Sequence, residues 1–430
     1  INRTGSEIAK KANSAALFLA HLSTDIKNQV LEEMASALET NCDEILSANE
    51  KDLKFASEEG IAKSLIARLS LNENKVRGMA QGIRSVVTLP DPAGFRQSAM
   101  EIDEGLTVYR VSCPIGVIGA IFESRPDAVP QISSLCLKSG NAVILKGGRE
   151  AQNSNKVIVG LLTDAIKKVP GVPEAAVQMI ETRSEVADML KEEKYINLVV
   201  PRGSNDFVKY IQENTRIPVL GHSEGICHNY IDNEADLSKA LRIALDSKLQ
   251  YAAACNAMEN LLVHREIAPE IIPKLVEKFQ EKEGSLVGCD ETCKIATGLS
   301  PASENEWDEE YNDLKLAIKI VGDLEEAISF INKHGSGHTD TIITENAETA
   351  EEFMNGVNSA SVMCNASTRF ADGFRYGLGA EIGISTNKTH ARGPVGLEGL
   401  VIYKYRVYGK GQIVSDYSGE NARSFTHKPL

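Results

Sequence analysis

No run of about 18 apolar residues occurs anywhere in the 430 residues, so the sequence offers no membrane-spanning helix. Residues 1–20 form an amphipathic mixture carrying Lys10 and Lys11, without the apolar run and cleavage site of a secretory signal. Positive charge is in short supply, with 46 basic residues against 60 acidic ones and a formal net charge of −14. Such a surface repels nucleic-acid backbones and anionic lipid. The expected partner is therefore a small molecule, and an anionic one needs a local cationic pocket. Of the eight cysteines, only Cys289 and Cys293 lie close together, and no second Cys or His pair completes a zinc pattern, so no metal is expected. The others are scattered (Cys42, Cys113, Cys136, Cys227, Cys255, Cys364), which favours reduced thiols and a cytoplasmic setting over a disulfide frame. No Gly-x-Gly-x-x-Gly follows a strand, so the ordinary dinucleotide fingerprint is missing. His222 and His228 come without a Ser-x-Gly elbow or a His-x-x-x-His pair.

The patterns that are present give the architecture. Residues 6–88 read as helices, with Ile26, Val30, Met34 and Leu38 recurring every fourth position behind a Ser23-Thr24 cap. Pro90 and Pro92 end that region, and residues 106–111 predict one arm of a hairpin. From residue 116, short apolar runs alternate with helical stretches, at 116–122, 142–146, 177–180, 198–200 and 217–220. Short buried strands separated by helices imply a parallel sheet, because parallel strands need crossover connections. A second α/β unit starts near Asp232, with a helix over 236–248 and strands at 260–264, 316–321 and 341–344. A glycine- and arginine-rich segment follows Asn365, and a strand is expected over 400–407.

Four constellations suggest chemistry. In Tyr251-Ala-Ala-Ala-Cys255-Asn-Ala-Met258, small neighbours leave room for a substrate at sulfur, between a helix and a strand. Backbone N–H groups at such a turn can stabilise a thiolate and an oxyanion, although an isolated cysteine is more often a structural one. Asn141 to Arg149 is a strand that ends in Lys146-Gly147-Gly148-Arg149, at the edge where α/β sheets take ligands. Such an edge suits a ribose and a phosphate, but a strand turning into solvent also ends this way. Gly203 and Ser204 open a helix over 205–214 and make either an anion site or a plain cap. Glycine-dense stretches near Arg369, Gly379 and Arg392 suggest backbone held near a ligand, or simply exposed loops.

The order of these pieces carries more than any one of them. Gly116-Val-Ile-Gly-Ala-Ile-Phe-Glu-Ser-Arg-Pro-Asp127, Leu145-Lys-Gly-Gly148 and Val200-Pro-Arg-Gly-Ser204 come first. Gly221-His-Ser-Glu-Gly-Ile-Cys-His228 and Ala253-Ala-Cys-Asn-Ala-Met-Glu259 follow, then Ser367-Thr-Arg-Phe-Ala-Asp-Gly373 and His390-Ala-Arg-Gly-Pro-Val-Gly-Leu-Glu398. The series spans nearly the whole chain and resembles the γ-glutamyl phosphate reductase (glutamate-5-semialdehyde dehydrogenase) family of the aldehyde dehydrogenase superfamily. That family also supplies the second half of the bifunctional pyrroline-5-carboxylate synthase.

The resemblance implies an α/β, aldehyde dehydrogenase-like fold with a Rossmann-like cofactor domain (1–98, 114–230 and 365–399). It also implies an α/β catalytic domain (231–364) and a small oligomerisation arm (99–113 and 400–430) that would make a homo-oligomer, a dimer or higher. The implied reaction is reduction of L-glutamyl 5-phosphate by NADP(H) to glutamate 5-semialdehyde and phosphate, the second step of proline synthesis from glutamate. Cys255 would form the thioester, with Ser124 and Asn256 near the oxyanion. Lys146, Gly147, Arg149, Gly203, Ser204 and Glu310 would hold the cofactor. Arg125, Arg202, His222 and Arg392 would meet the phosphate or the α-carboxylate, and a glutamate 5-kinase is a conceivable partner.

Two departures from ordinary aldehyde dehydrogenases bear on the chemistry. Gly221 stands where the superfamily places the glutamate that activates water, so a thioester here would be spared hydrolysis. Arg149 stands where NAD-preferring relatives carry a glutamate, and a guanidinium can pair with a 2′-phosphate that a carboxylate would repel. A third departure, Ala252 and Ala253 in place of the family's proline, suggests a looser cysteine loop. An ordinary aldehyde oxidiser and an inactive scaffold remain as alternatives.

Overall fold

The computed structural model describes residues 4–430 and divides the chain into two compact units. One comprises the chain up to Leu220 with Leu378–Gly383 and Val395–Leu430; the other comprises Gly221–Gly377 and Ile384–Pro394.

The first unit is built on a four-stranded parallel sheet in the order Val177–Met179, Ala142–Lys146, Val117–Phe122, Leu198–Arg202. All six residues of Val117–Phe122 are buried, as befits a strand covered on both faces. The expected helical region is five helices, Gly5–Leu19, Thr24–Thr40, Cys42–Glu58, Lys63–Leu69 and Glu73–Thr88. Ser23 caps the second by accepting from the N–H of Ile26, and the fourfold apolar spacing buries Val30, Met34 and Leu38. The strand expected at 217–220 contributes only an isolated bridge between Val199 and Val219. Pro218 has no N–H with which to extend that ladder.

An antiparallel sheet completes this unit, in the order Val401–Tyr408, Leu106–Pro114, Arg96–Asp103, Lys428–Pro429. Val401–Tyr408 is an edge strand and shows Tyr403, Tyr405, Val407 and Tyr408 to solvent.

The second unit is a seven-stranded, wholly parallel sheet. Its order is Ser300–Pro301, Ser285–Gly288, Lys315–Val321, Met258–His264, Cys227–Ile231, Thr339–Ile343, Ser361–Cys364. Leu261, Ile271, Phe279 and Ile318 fill one apolar cluster, and Tyr230, Leu262, Ile342 and Phe353 fill another. Cys227–Ile231 pairs with Met258–His264 on one side and with Thr339–Ile343 on the other, which ties residues 221–231 into this unit. Among the described residues no helix is long and apolar enough to cross a membrane.

Candidate active site

Each unit gathers part of the expected chemistry. In the second, Cys255 is half-buried in the loop between helix Leu237–Leu249, capped by Asp236, and strand Met258–His264. The loop lies at the amino ends of three neighbouring strands, and its backbone is tightly gripped. The Cys227 thiol donates to the Cys255 carbonyl at 3.3 Å. Full burial pushes the Cys227 thiol well above its usual value, so it stays protonated and able to donate. Gly225 presses on the same peptide: a Cβ there would sit 2.1 Å from the Cys255 carbonyl oxygen. Only glycine tolerates that approach. Among the described residues no acceptor takes the Cys255 amide N–H. That is the state required of an oxyanion donor.

Asn256 is 4% exposed and donates its amide to the Ala371 carbonyl at 2.8 Å, while its Oδ1 has no partner among the described residues. This side chain therefore anchors the loop to the 366–373 segment. Beneath it, Lys248 and Glu259 form an ion pair with both side chains fully buried. Burial pushes the Glu259 carboxyl up to about 8 against the pull of Lys248, and Glu310 adds repulsion. Burial lowers Lys248 in turn. The Glu259 Oε1 has no partner among the described residues, so burial of the carboxyl is only partly offset.

Two imidazoles face the thiol. One ring nitrogen each of His222 and His338 and the Cys255 sulfur all lie within 4.8 Å of one another. His222 Nδ1 is 2.8 Å from the Ile384 carbonyl, and the two rings meet edge to face with centroids 4.8 Å apart. Arg392 points its guanidinium at the carbonyls of Thr386 (3.2 Å) and Asn358 (2.8 Å), and so ties backbone together beside this loop. Glu310 is half-buried before strand Lys315–Val321.

Sequence reasoning gave no individual role to three groups here: His338, Gly225 and Arg369. Arg369 is half-buried and donates to Gln250 at 2.9 Å. Burial and Arg375 lower its affinity for the proton, while the charge of a Cys255 thiolate supports it. Pattern reading could not single out His338 and Gly225, since neither recurs at a diagnostic spacing; only the fold brings them to the cysteine.

In the first unit the expected cofactor residues lie at the carboxyl ends of parallel strands. Lys146 is half-buried at the end of its strand, its ammonium 2.6 Å from the Gly147 carbonyl, and burial lowers its pKa. A Cβ on Gly147 would come 2.0 Å from Asn155 Nδ2. The Asn155 amide is 1% exposed and has no partner at either end among the described residues. Gly147, Gly148, Arg149, Asn155 and Ile180 line a shallow pocket. Arg149 is exposed, with its guanidinium stacked over Phe55 at 4.9 Å.

Ser204 stands at the N-cap position of helix Asn205–Glu213 without a side-chain cap bond, and its N–H is held by the Glu123 carboxylate at 3.1 Å. Ser124 sits at φ 43° and gives both its N–H (2.6 Å) and its hydroxyl (2.7 Å) to Glu150. Arg125 pairs with Asp127 at 2.7 Å, and Arg202 donates to Gln131 at 3.2 Å. The first unit thus brings Lys146, Gly147 and Arg149 to one strand end, with Gly203, Ser204 and Arg202 at the end of the strand two places along the same sheet. Sequence reading overlooked Glu123, Glu150 and Asn155 in this set.

Residues 4–313 match the model of the aldehyde dehydrogenase family. A γ-glutamyl phosphate reductase of Acetivibrio thermocellus is 53% identical over 425 residues, covering 99% of this chain and 98% of that one. The crystal structure of γ-glutamyl phosphate reductase from Thermotoga maritima superposes with a TM-score of 0.93 at 41% identity, covering 96% of this chain and 100% of that one. At 16% identity, an engineered glycolyl-CoA reductase with bound NADP+ shares the fold, with a TM-score of 0.65 over 94% of this chain and 97% of that one.

Proposed function

The chain belongs to the aldehyde dehydrogenase family, alongside relatives named γ-glutamyl phosphate reductase, and on that premise we propose that it reduces L-glutamyl 5-phosphate. The products are glutamate 5-semialdehyde and phosphate, in the second step of proline synthesis from glutamate. The observation that carries this reading is the Cys255 loop: a half-buried thiol with an unbonded amide N–H, set among small residues.

In this reading Cys255 attacks the acyl carbon and expels phosphate, leaving a thioester on the enzyme. The Cys255 amide receives the developing oxyanion. No carboxylate stands at Gly221 to activate water, so the thioester persists until it is reduced. The family works with nicotinamide cofactors, and NADPH, when bound, supplies the hydride. The cradle at Lys146, Gly147 and Asn155 fits such a group, because the orphaned Asn155 amide has both a donor and an acceptor to offer. Lys146 and Arg149 would meet ribose and 2′-phosphate, the Gly203-Ser204 helix start would meet the diphosphate, and Glu310 a ribose hydroxyl. Arg125, Arg202, Arg392 and His222 remain our assignments for substrate anions, and Ser124 and Asn256 for the surroundings of the oxyanion.

The exposed edge strand Val401–Tyr408 supports a homo-oligomer of two or more copies, because an unpaired edge invites pairing with another chain. Eight unpaired cysteines support a cytoplasmic home. Docking of a glutamate 5-kinase is part of the same proposal.

The test is phosphate-dependent reduction of NADP+ with pyrroline-5-carboxylate, which opens to the semialdehyde. We expect turnover in the wild type and a loss of about 10⁴-fold or more in Cys255→Ala. Turnover that needs no phosphate would instead mark an ordinary aldehyde oxidiser, and full activity of Cys255→Ala would exclude the thioester.

A further inference from the structure

We propose that His222 and His338 are the proton-handling pair of Cys255, taking the thiol proton during acylation and passing it to the departing phosphate. The inference deepens the thioester reading and rests on it for the identity of the leaving group.

Three observations carry it. First, both imidazoles have a ring nitrogen within 4.8 Å of the other and of the Cys255 sulfur. Second, the tautomer of His222 is fixed by its partner. The Ile384 carbonyl can only accept, so Nδ1 carries the hydrogen and the neutral ring keeps its lone pair on Nε2. Third, His338 is fully buried, yet its Nε2 has no partner among the described residues. Its Nδ1 lies 2.9 Å from Thr339 Oγ1 and 3.8 Å from the Cys227 sulfur. An orphaned nitrogen in the interior is destabilising. A partner that is present only during turnover explains why the position keeps an imidazole. Catalytic contacts are commonly loose before substrate binds, so a separation just beyond hydrogen-bond reach is no obstacle.

The steps balance. The S–H bond breaks and its proton moves to imidazole. Sulfur bonds to the acyl carbon as the bond from carbon to the phosphate oxygen breaks. The electron pair leaves with that oxygen, which takes the proton from the imidazolium. After hydride has reduced the thioester carbon, the C–S bond breaks as the aldehyde C=O forms. The released thiolate is then reprotonated from solvent through the same pair, so one proton is consumed per turnover.

A Cys-His-His trio is also a zinc geometry. Tetrahedral zinc would hold its ligand atoms about 3.3–3.6 Å apart, so zinc occupancy is one of the outcomes the experiment reads.

The experiment compares the full-length wild type with His222→Gln, His338→Gln and the double variant, each checked by thermal melting. The first readout is the rate at which iodoacetamide alkylates Cys255 at pH 7, followed by mass spectrometry of its peptide. It needs neither substrate nor cofactor, so it stands apart from the question of which acyl donor the enzyme takes. We expect each single variant to react about tenfold or more slowly, and the double variant no more slowly than the slower single, as for groups acting as a unit. Turnover should fall about 10²–10⁴-fold. Folded variants that are alkylated at the wild-type rate overturn the proposal. So does one tightly held zinc per wild-type chain whose removal changes activity. Should the variants not fold, single-turnover phosphate release by the wild type in D₂O decides: slowing supports the pair, and an unchanged rate overturns it.

Discussion

The two candidate sites are built on opposite ends of their sheets. In the first unit Lys146, Arg149, Gly203 and Ser204 sit beyond the carboxyl ends of parallel strands, where open α/β sheets usually take ligands. In the second unit Cys255, His222 and His338 collect where the chain is about to enter three strands. The first site is partly exposed and cationic, and it is shaped by glycines that let a ligand approach. The second is walled by buried groups and, in our proposal, works through two imidazoles and one backbone N–H. In our proposal, specificity and reactivity therefore belong to surfaces with different tolerance of change. Substitutions at the first site should alter what binds while leaving stability intact, whereas those at the second should cost stability and rate together.

The sharpest way to break this contrast is Lys248→Met. Removing the ammonium leaves the Glu259 carboxyl buried without its partner, and we expect a loss of about 1–3 kcal/mol in urea or thermal unfolding. A wild-type melting curve would show that the second site is not held by its buried groups. The same pair imposes a pH dependence. The folded-state value of Glu259, about 8, lies above the 4.5 of an unperturbed glutamate, so the folded protein holds that proton more tightly. The stability this contributes is present in full below about pH 4.5 and is lost as pH rises through about 8. Glu259→Gln should flatten the fall in melting temperature across that window; an unchanged slope would assign it to other groups.

Gly225→Ala comes next. Its methyl would collide with the Cys255 carbonyl, and the loop must shift by an ångström or so. We expect kcat to fall about 10²-fold, with KM for the cofactor little changed. The smallest effect belongs to the first site. Arg149→Glu should turn a preference for NADPH into one for NADH, a swing of about 10–100-fold in the ratio of kcat/KM values, with unfolding energy within about 0.5 kcal/mol of wild type. A wild type that prefers NADH would sink the assignment of Arg149.

How much of this could be read in advance follows the same division. The first unit's strands and helices were legible because buried parallel strands and amphipathic helices write their periods into the chain. Ala142–Lys146 was located to the residue, and Ser23 was identified as a cap. Strand Cys227–Ile231 was not anticipated, since Cys-His-Asn-Tyr-Ile reads as polar. It is buried because Asp340 pairs with His228, and because Asn229 donates to Ser247. Cys255 stood out through its small neighbours and the order of motifs, but the partners of its thiol did not. His222 and His338 are 116 residues apart in sequence and meet only through sheet order. Arg125, Arg202 and Arg392 were legible as cations, yet their internal bonds to Asp127, Gln131 and two backbone carbonyls were invisible until the chain was folded.

Gly225 also has a diagnostic use. A gene duplicate on its way to becoming a pseudoenzyme is usually judged by whether it keeps its nucleophile. In this fold that criterion is incomplete. A copy that retained the cysteine but had any side chain at position 225 would carry a thiol whose carbonyl and amide no longer point where turnover needs them. The glycine is a second letter to read beside the cysteine when separating living copies from silent ones.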